Sequence, residues 1–166
     1  MNNLVTVEQT FEVAIAAERA VESLFQGLAV KFAPYPDLAE FWRQYAQEEA
    51  MHARWLLGAR GRLSPEQLAA QVSAETVAAM RATAVFSVET ALGQVKNLED
   101  AYNLVTELEN GETNAIFLFL LDHFEPSEET GNFIRAQLNS HIVKLATSLP
   151  AQYQSGEGHR AVKAVS

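Results

Sequence analysis

Residues 45–56 read YAQEEAMHARWL. Tyr45, Glu49, His52 and Leu56 recur at spacings of four, three and four, so a helix through them carries an aromatic, a carboxylate, an imidazole and an aliphatic side chain along one face. Glu49 and His52 project together, and Glu-x-x-His lets one helix offer an oxygen and a nitrogen to the same ion, a donor pair suited to iron, manganese or zinc. Gln47 and Glu48 fall off this stripe and are read as solvated.

Outward from this stretch, the same helix extends back through Phe41 and Leu38 to Asp37, an N-cap candidate with Glu40 three residues on, and ends in the Gly58 and Gly61 region. Before it, Phe11, Ile15, Glu18, Val21, Phe25, Leu28 and Phe32 form a stripe that predicts a helix from Thr6 to about Phe32, with Gly27 its weak point. After it, residues 61–97 carry closely spaced cap signals: Ser64 with Pro65, Ser73 with Thr76, and Ser87 with Thr90. They predict two or three short crossover helices. A further long helix is expected from Leu98 through Ala101, Leu104, Leu108, Glu112 and Phe119 to about His123, despite the Asn110-Gly111 turn signal. Ser127 then caps a last helix with the stripe Ile134, Leu138, His141, Leu145 and Leu149, ended by Pro150. Short, long and short connections between four long helices predict an all-α protein, an antiparallel four-helix bundle with one long crossover between its second and third helices. Residues 1–150 are expected to form the bundle, and 151–166 a polar tail that frays or packs loosely.

The polar residues on the apolar faces carry the functional signal. Glu18 lies seven residues from both Phe11 and Phe25, which puts a carboxylate on the core face, where an unpaired charge is costly. Glu109 and Glu112 form a three-spaced pair on the third helix, and His141 lies between Leu138 and Leu145 on the fourth. Each has an ordinary structural explanation alone, but together they let every long helix aim a donor at the bundle centre. The aromatic residues Phe25, Tyr45 and Phe119 are expected to wall that centre as core packing. Glu125, Glu128 and Glu129 suit a helix N-terminus, where negative charge meets the macrodipole. An internal echo supports duplication of a helix pair: ERAVESLF at 18–25 parallels ETNAIFLF at 112–119, and YAQEEAMHARWL parallels IRAQLNSHIVKL from Ile134, aligning His52 with His141.

Composition narrows the function classes. The chain has 166 residues, 12 basic and 21 acidic, for a formal charge of −9, which opposes binding to phosphate backbones or anionic membranes. No nucleic-acid role is expected. There is no cysteine, so disulfides, thiolate metal sites and cysteine nucleophiles are excluded and any metal rests on carboxylate, imidazole or water. The N-terminus lacks a basic leader with an apolar core, and the longest apolar run, AIFLFLL at 115–121, is too short to span a bilayer. A cytoplasmic protein without a membrane partner is the expectation.

With these residues in view, the sequence resembles the rubrerythrin-like branch of the ferritin-like superfamily, whose helices follow Glu, Glu-x-x-His, Glu, Glu-x-x-His. The resemblance spans about residues 8–148 and is most specific at YAQEEAMH. It implies a non-haem di-iron centre that reacts with oxygen or peroxide, as in peroxidase- or ferroxidase-type oxidoreductases. Carried over by position, Glu18, Glu49, His52, Glu112 and His141 match ligand places: Glu18 and Glu112 terminal, Glu49 bridging, and the histidines on different metals. Glu109 resembles the additional glutamate of rubrerythrins. Leu138 departs from the pattern, since it stands where the fourth helix supplies its glutamate, so the site is one carboxylate short, a reduced di-iron or single-metal centre. The cysteine-ligated rubredoxin module of complete rubrerythrins is lacking, so an enzymatic role implies a separate electron donor. A homodimer is the family-like expectation. The alternative is a catalytically degenerate bundle that serves as a structural or partner-binding module.

Overall fold

The computed structural model describes residues 4–83, 87–109 and 113–166. Helix α1 spans Val7–Lys31 and opens on a capping box, in which Thr6 accepts from the Gln9 backbone and the Gln9 side chain accepts from the Thr6 N–H. Helix α2 spans Pro36–Gly61. It starts two residues earlier than Asp37 capping implies, because Pro36 occupies the first helical position with its φ preset and Tyr35 precedes it without a side-chain cap. Asp37 instead accepts from the Tyr153 hydroxyl and the Gln152 amide.

The crossover holds three short helices, α3 (Pro65–Ala69), α4 (Ala74–Thr83) and α5 (Val88–Gln94). Ser64, Ser73 and Ser87 each accept from the backbone three residues on, which ends one helix and starts the next where the cap signals stand. Gly27 finds its reason here. A Cβ at that position would sit 2.4 Å from a terminal methyl of Leu92, so the missing side chain lets α5 lie close on α1.

The third long segment is described as α6 (Leu98–Glu109) and α7 (Thr113–Phe124); Asn110, Gly111 and Glu112 lie outside the described residues. Helix α8 (Glu128–Thr147) is capped by Ser127. Helices α1 and α2 form the most extensive pair, α7 packs on α1, and α8 packs on both α6 and α7. The result is an all-α bundle. Among the described residues β pairing is confined to two isolated bridges, Thr6 with Gln71 and Asn97 with Lys163. No helix among them is long and apolar enough to cross a membrane.

The C-terminal segment does not fray. A 3-10 turn at Ala151–Tyr153 and helix α9 (Gly156–Ala161) bury Tyr153, His159 and Val162. Its backbone is tied down as well: Leu98 N–H donates to the Val162 carbonyl (2.9 Å) and Val165 N–H to the Lys31 carbonyl (2.8 Å). The scattered Tyr and Val of an otherwise polar stretch are the groups that dock, which composition averages away.

Two apolar clusters fill the interior. One contains Leu24, Phe25 and Leu28 of α1, Trp42 and Tyr45 of α2, Val105 of α6 and Leu145 of α8. The other contains Phe11 and Ala14 of α1, Leu56 of α2, Phe117 and Leu120 of α7, and Leu138 of α8. Along α1, α2 and α8 the break between clusters falls at Glu18, at Glu49 and His52, and at His141. One polar layer thus crosses the apolar core.

Candidate metal centre

Helical phase alone turns Glu18, Glu49, His52 and His141 inward, and all four are buried. His52 Nδ1 lies 3.4 Å from Glu49 Oε2 and 3.5 Å from Glu18 Oε2. His141 Nδ1 lies 3.3 Å from Glu49 Oε1 and 3.2 Å from Glu109 Oε1. Two groups of potential donors result, Glu18 with Glu49 and His52, and Glu49 with Glu109 and His141. Glu49 belongs to both, one carboxylate oxygen facing each histidine.

Burial and charge set the protonation of this layer. Burial disfavours a charged imidazole, yet at His52 hydrogen bonds to Glu18 and Glu49 outweigh it and push the pKa up to about 9. At His141 burial is likewise overcome, by Glu109 and Glu48, and the value rises to about 10. Burial raises Glu49 to about 7 against the hydrogen bond from His52, with Glu18 adding to the rise. Without a cation, protons therefore supply the positive charge this layer needs.

The donor set fits a metal better than a proton network. His52 Nε2 is buried without a hydrogen-bond partner, and Glu18 Oε2 has only its long 3.5 Å contact with His52 Nδ1; a buried polar group left unsatisfied costs about 1–3 kcal/mol unless something compensates it. Among the described residues the ion pairs of Glu18 and Glu49 are with histidine alone, so no lysine or arginine takes the cation's place there. Oxygen and nitrogen donors without thiolate suit iron, manganese or zinc.

The family model for rubrerythrin matches residues 10–125. The chain belongs to the rubrerythrin family. Proteins of this family typically bind iron. Comparison with curated proteins and with solved structures gives no match. The rubrerythrin match ends before α8, the helix on which Leu138 packs, buried, in the second apolar cluster.

Of the six residues singled out in the sequence, the structure brings together Glu18, Glu49, His52, Glu109 and His141, while Glu112 lies outside the described residues. Two neighbours were misread. Glu48 is not simply solvated: His141 Nε2 donates to its Oε2 at 2.8 Å, and Lys144 Nζ donates to its other oxygen. Despite the opposing effect of burial, these two partners hold its carboxyl down to about 2. No ligand motif marks Glu48 in the sequence; the signal is the three-residue step from His141 to Lys144, which sets a cation beside the imidazole on one flank of α8.

The second is Phe119, whose ring pairs at a tilt with His123 rather than walling the centre. Phe117 takes that place, its ring edge-on to His52 with centroids 5.3 Å apart, because the buried face of α7 runs through Ile116, Phe117, Leu120 and Leu121. Tyr45 is placed as expected, its ring centroid 5.3 Å from that of His141 and near Phe25 at 4.9 Å. Its hydroxyl donates to the His141 carbonyl at 2.6 Å. Burial, reinforced by Glu109, raises the phenol far above its ordinary range, so it stays a neutral donor.

Proposed function

We propose that this rubrerythrin-family chain is a non-haem di-iron protein in which Glu18, Glu49 and His52 hold one iron and Glu49, Glu109 and His141 the other. The observation that carries the reading is the shared carboxylate: Glu49 has one oxygen 3.4 Å from His52 Nδ1 and the other 3.3 Å from His141 Nδ1. Glu112 stays in the proposed set through its position in the family pattern. Bound iron supplies one-electron chemistry toward oxygen or peroxide, which makes a peroxidase- or ferroxidase-type oxidoreductase the activity proposed.

The protein's own part is placement and exclusion. The apolar clusters on either side keep bulk water from the layer, and Phe117 and Tyr45 close on the two imidazoles. Leu138 leaves the His141 side one carboxylate short of the family pattern, and a smaller protein donor set leaves positions for a small oxidant. With no cysteine in the sequence to hold an iron–sulfur or rubredoxin-type centre, electrons come from a separate donor protein. We further propose a homodimer in the cytoplasm, with residues 1–150 as the ferritin-like domain and 151–166 as its docked extension.

A second reading has Leu138 in its favour: a buried leucine at a ligand place also suits a bundle that keeps the fold and binds a partner without catalysis. Metal analysis of protein purified without chelators, followed by anaerobic iron(II) loading and exposure to air, separates the two. About two irons per chain and an oxygen-dependent absorption change support the di-iron reading; no retained iron and no spectral change favour the degenerate bundle.

A further inference from the structure

We propose that Met80 is a peroxide-sensitive modification site and that oxidation of its thioether by hydrogen peroxide releases helix α4 from α1 and α7. The site lies outside the polar layer, and the proposal does not depend on a metal there.

Very little holds α4 in place. Its buried residues are Thr76 and Met80. Thr76 belongs to the cap, with its hydroxyl 3.0 Å from that of Ser73, so the apolar anchoring falls to Met80 with Ala79 half-buried beside it. Met80 is 7% exposed and packs in the cluster with Phe11, Phe117 and Leu120. A helix that buries so little opens locally at small cost, and each opening brings the sulfur to water without unfolding the bundle.

The neighbour of the sulfur decides what oxidation does. The fully buried Thr10 hydroxyl lies 3.3 Å from Met80 Sδ and 3.0 Å from the Thr6 carbonyl. It has one proton, and a thioether is only a weak acceptor, so in the reduced protein that proton serves Thr6 and the sulfur needs no partner. In the reaction a sulfur lone pair attacks one peroxide oxygen. The O–O bond breaks as the S–O bond forms, the sulfur gives up two electrons, and the other oxygen leaves as water with the proton of the first. The sulfoxide oxygen is a strong acceptor in a cluster of apolar side chains, where the Thr10 hydroxyl is its one neighbouring donor. It also adds an atom to a filled site. Both effects favour turning α4 outward, where water solvates the sulfoxide.

The position gives the release a consequence. Helix α4 packs on α7, and Met80 shares its cluster with Phe117, the ring that lies edge-on to His52. Losing α4 uncovers the apolar side of the wall of the centre, so the chain would register the class of oxidant proposed as its substrate.

The test is hydrogen peroxide treatment of the full chain in the presence of a chelator, read by peptide mass spectrometry and amide hydrogen exchange. Met80 should gain one oxygen while the protein is folded, and the amides of Ala74–Thr83 should then exchange about 5–100-fold faster, with those of α2 unchanged. Methionine sulfoxide reductase should restore slow exchange. Met80→Leu keeps the apolar volume and cannot form a sulfoxide. Its α4 should stay protected under the same treatment, although Met51, half-buried on α2, is still open to oxidation. Thr10→Val removes the one donor and should enlarge the effect of oxidation. Met80 that resists peroxide until the chain unfolds, oxidised Met80 with unchanged exchange in α4, the same acceleration in Met80→Leu, or a smaller effect in Thr10→Val would overturn the proposal. If a variant does not fold, the parent decides, through the first two of these outcomes.

Discussion

His52 and His141 face one carboxylate between them, with ring centroids 5.6 Å apart and ring planes inclined by 30°. Each presents Nδ1 to a different oxygen of Glu49. A duplicated helix pair would give two similar half-sites; a single glutamate joining them makes their occupancies interdependent.

Glu49 should accordingly be unlike every other donor. Glu49→Gln, which keeps the volume and removes the charge, is expected to weaken both metal sites by more than about 100-fold, the effect of roughly 3 kcal/mol from an unpaired buried partner. Glu18→Gln should weaken one. Iron(II) or cobalt(II) titrations read by stoichiometry decide it, and loss of a single site in Glu49→Gln would remove the shared-carboxylate assignment.

Stability of the metal-free protein should fall as pH rises. His52 and His141, raised from 6.5 to about 9 and about 10, bind their protons more tightly folded than unfolded. Their contribution is complete below pH 6.5 and is lost as pH climbs through the folded values. Glu49, raised by burial from 4.5 to about 7, acts in the same direction at lower pH, losing its contribution between those values. Glu48 has the opposite sign: lowered to about 2, it contributes above pH 4.5 and loses that only as pH falls through the folded value, so it is constant across neutral and basic pH. Metal binding must expel the histidine protons, so apparent affinity should rise over the same range. The urea midpoint of metal-free protein should be higher near about pH 6 than near about pH 9.5, with the iron(II)-loaded protein showing the reverse or no slope. A flat metal-free profile would contradict the protonated layer.

The docked C-terminal segment predicts a stability effect far from the centre. Tyr153 packs edge-on to Tyr35 at 6.3 Å and its hydroxyl donates to Asp37. Tyr153→Ala should cost about 2–4 kcal/mol and lower Tm by roughly 5–10 °C, without changing the number of metals bound. An unchanged Tm would mean the segment does not hold α2 to the bundle.

What the sequence made legible is what periodicity and capping encode. Glu18, Glu49, His52 and His141 declare themselves because a helix fixes the direction of each side chain from its position in the stripe. Ser64, Ser73 and Ser87 mark the crossover helices because a hydroxyl three residues before a free N–H is a local interaction. Glu48 and Tyr153 were not legible, since their partners lie about a hundred residues away and no spacing along one helix reveals a contact between α2 and α8 or the C-terminal segment. Phe119 was misplaced for another reason. Extrapolating one stripe from Leu98 to His123 assumes a constant phase, and the buried face of α7 runs instead through Phe117.

Leu138 offers the sharpest test of the centre. It is buried three residues before His141, so Leu138→Glu restores Glu-x-x-His on α8 and places a carboxylate next to an existing donor. The opposing effect is its apolar surroundings in the cluster with Phe117 and Leu120, where an ionised carboxylate without a cation is costly. The metal-free variant should therefore be less stable than the parent by about 3 kcal/mol or more, and its new carboxyl should titrate above the ordinary range. Iron(II) should reverse the deficit, because an ion bound only by the folded state stabilises it by mass action, and iron per chain or affinity for the second iron should increase. Thermal unfolding with and without iron(II), run beside metal analysis, separates the outcomes. A variant that is destabilised yet gains neither iron nor an iron-dependent rise in Tm would show that position 138 does not face the centre, and α8 would then contribute His141 alone.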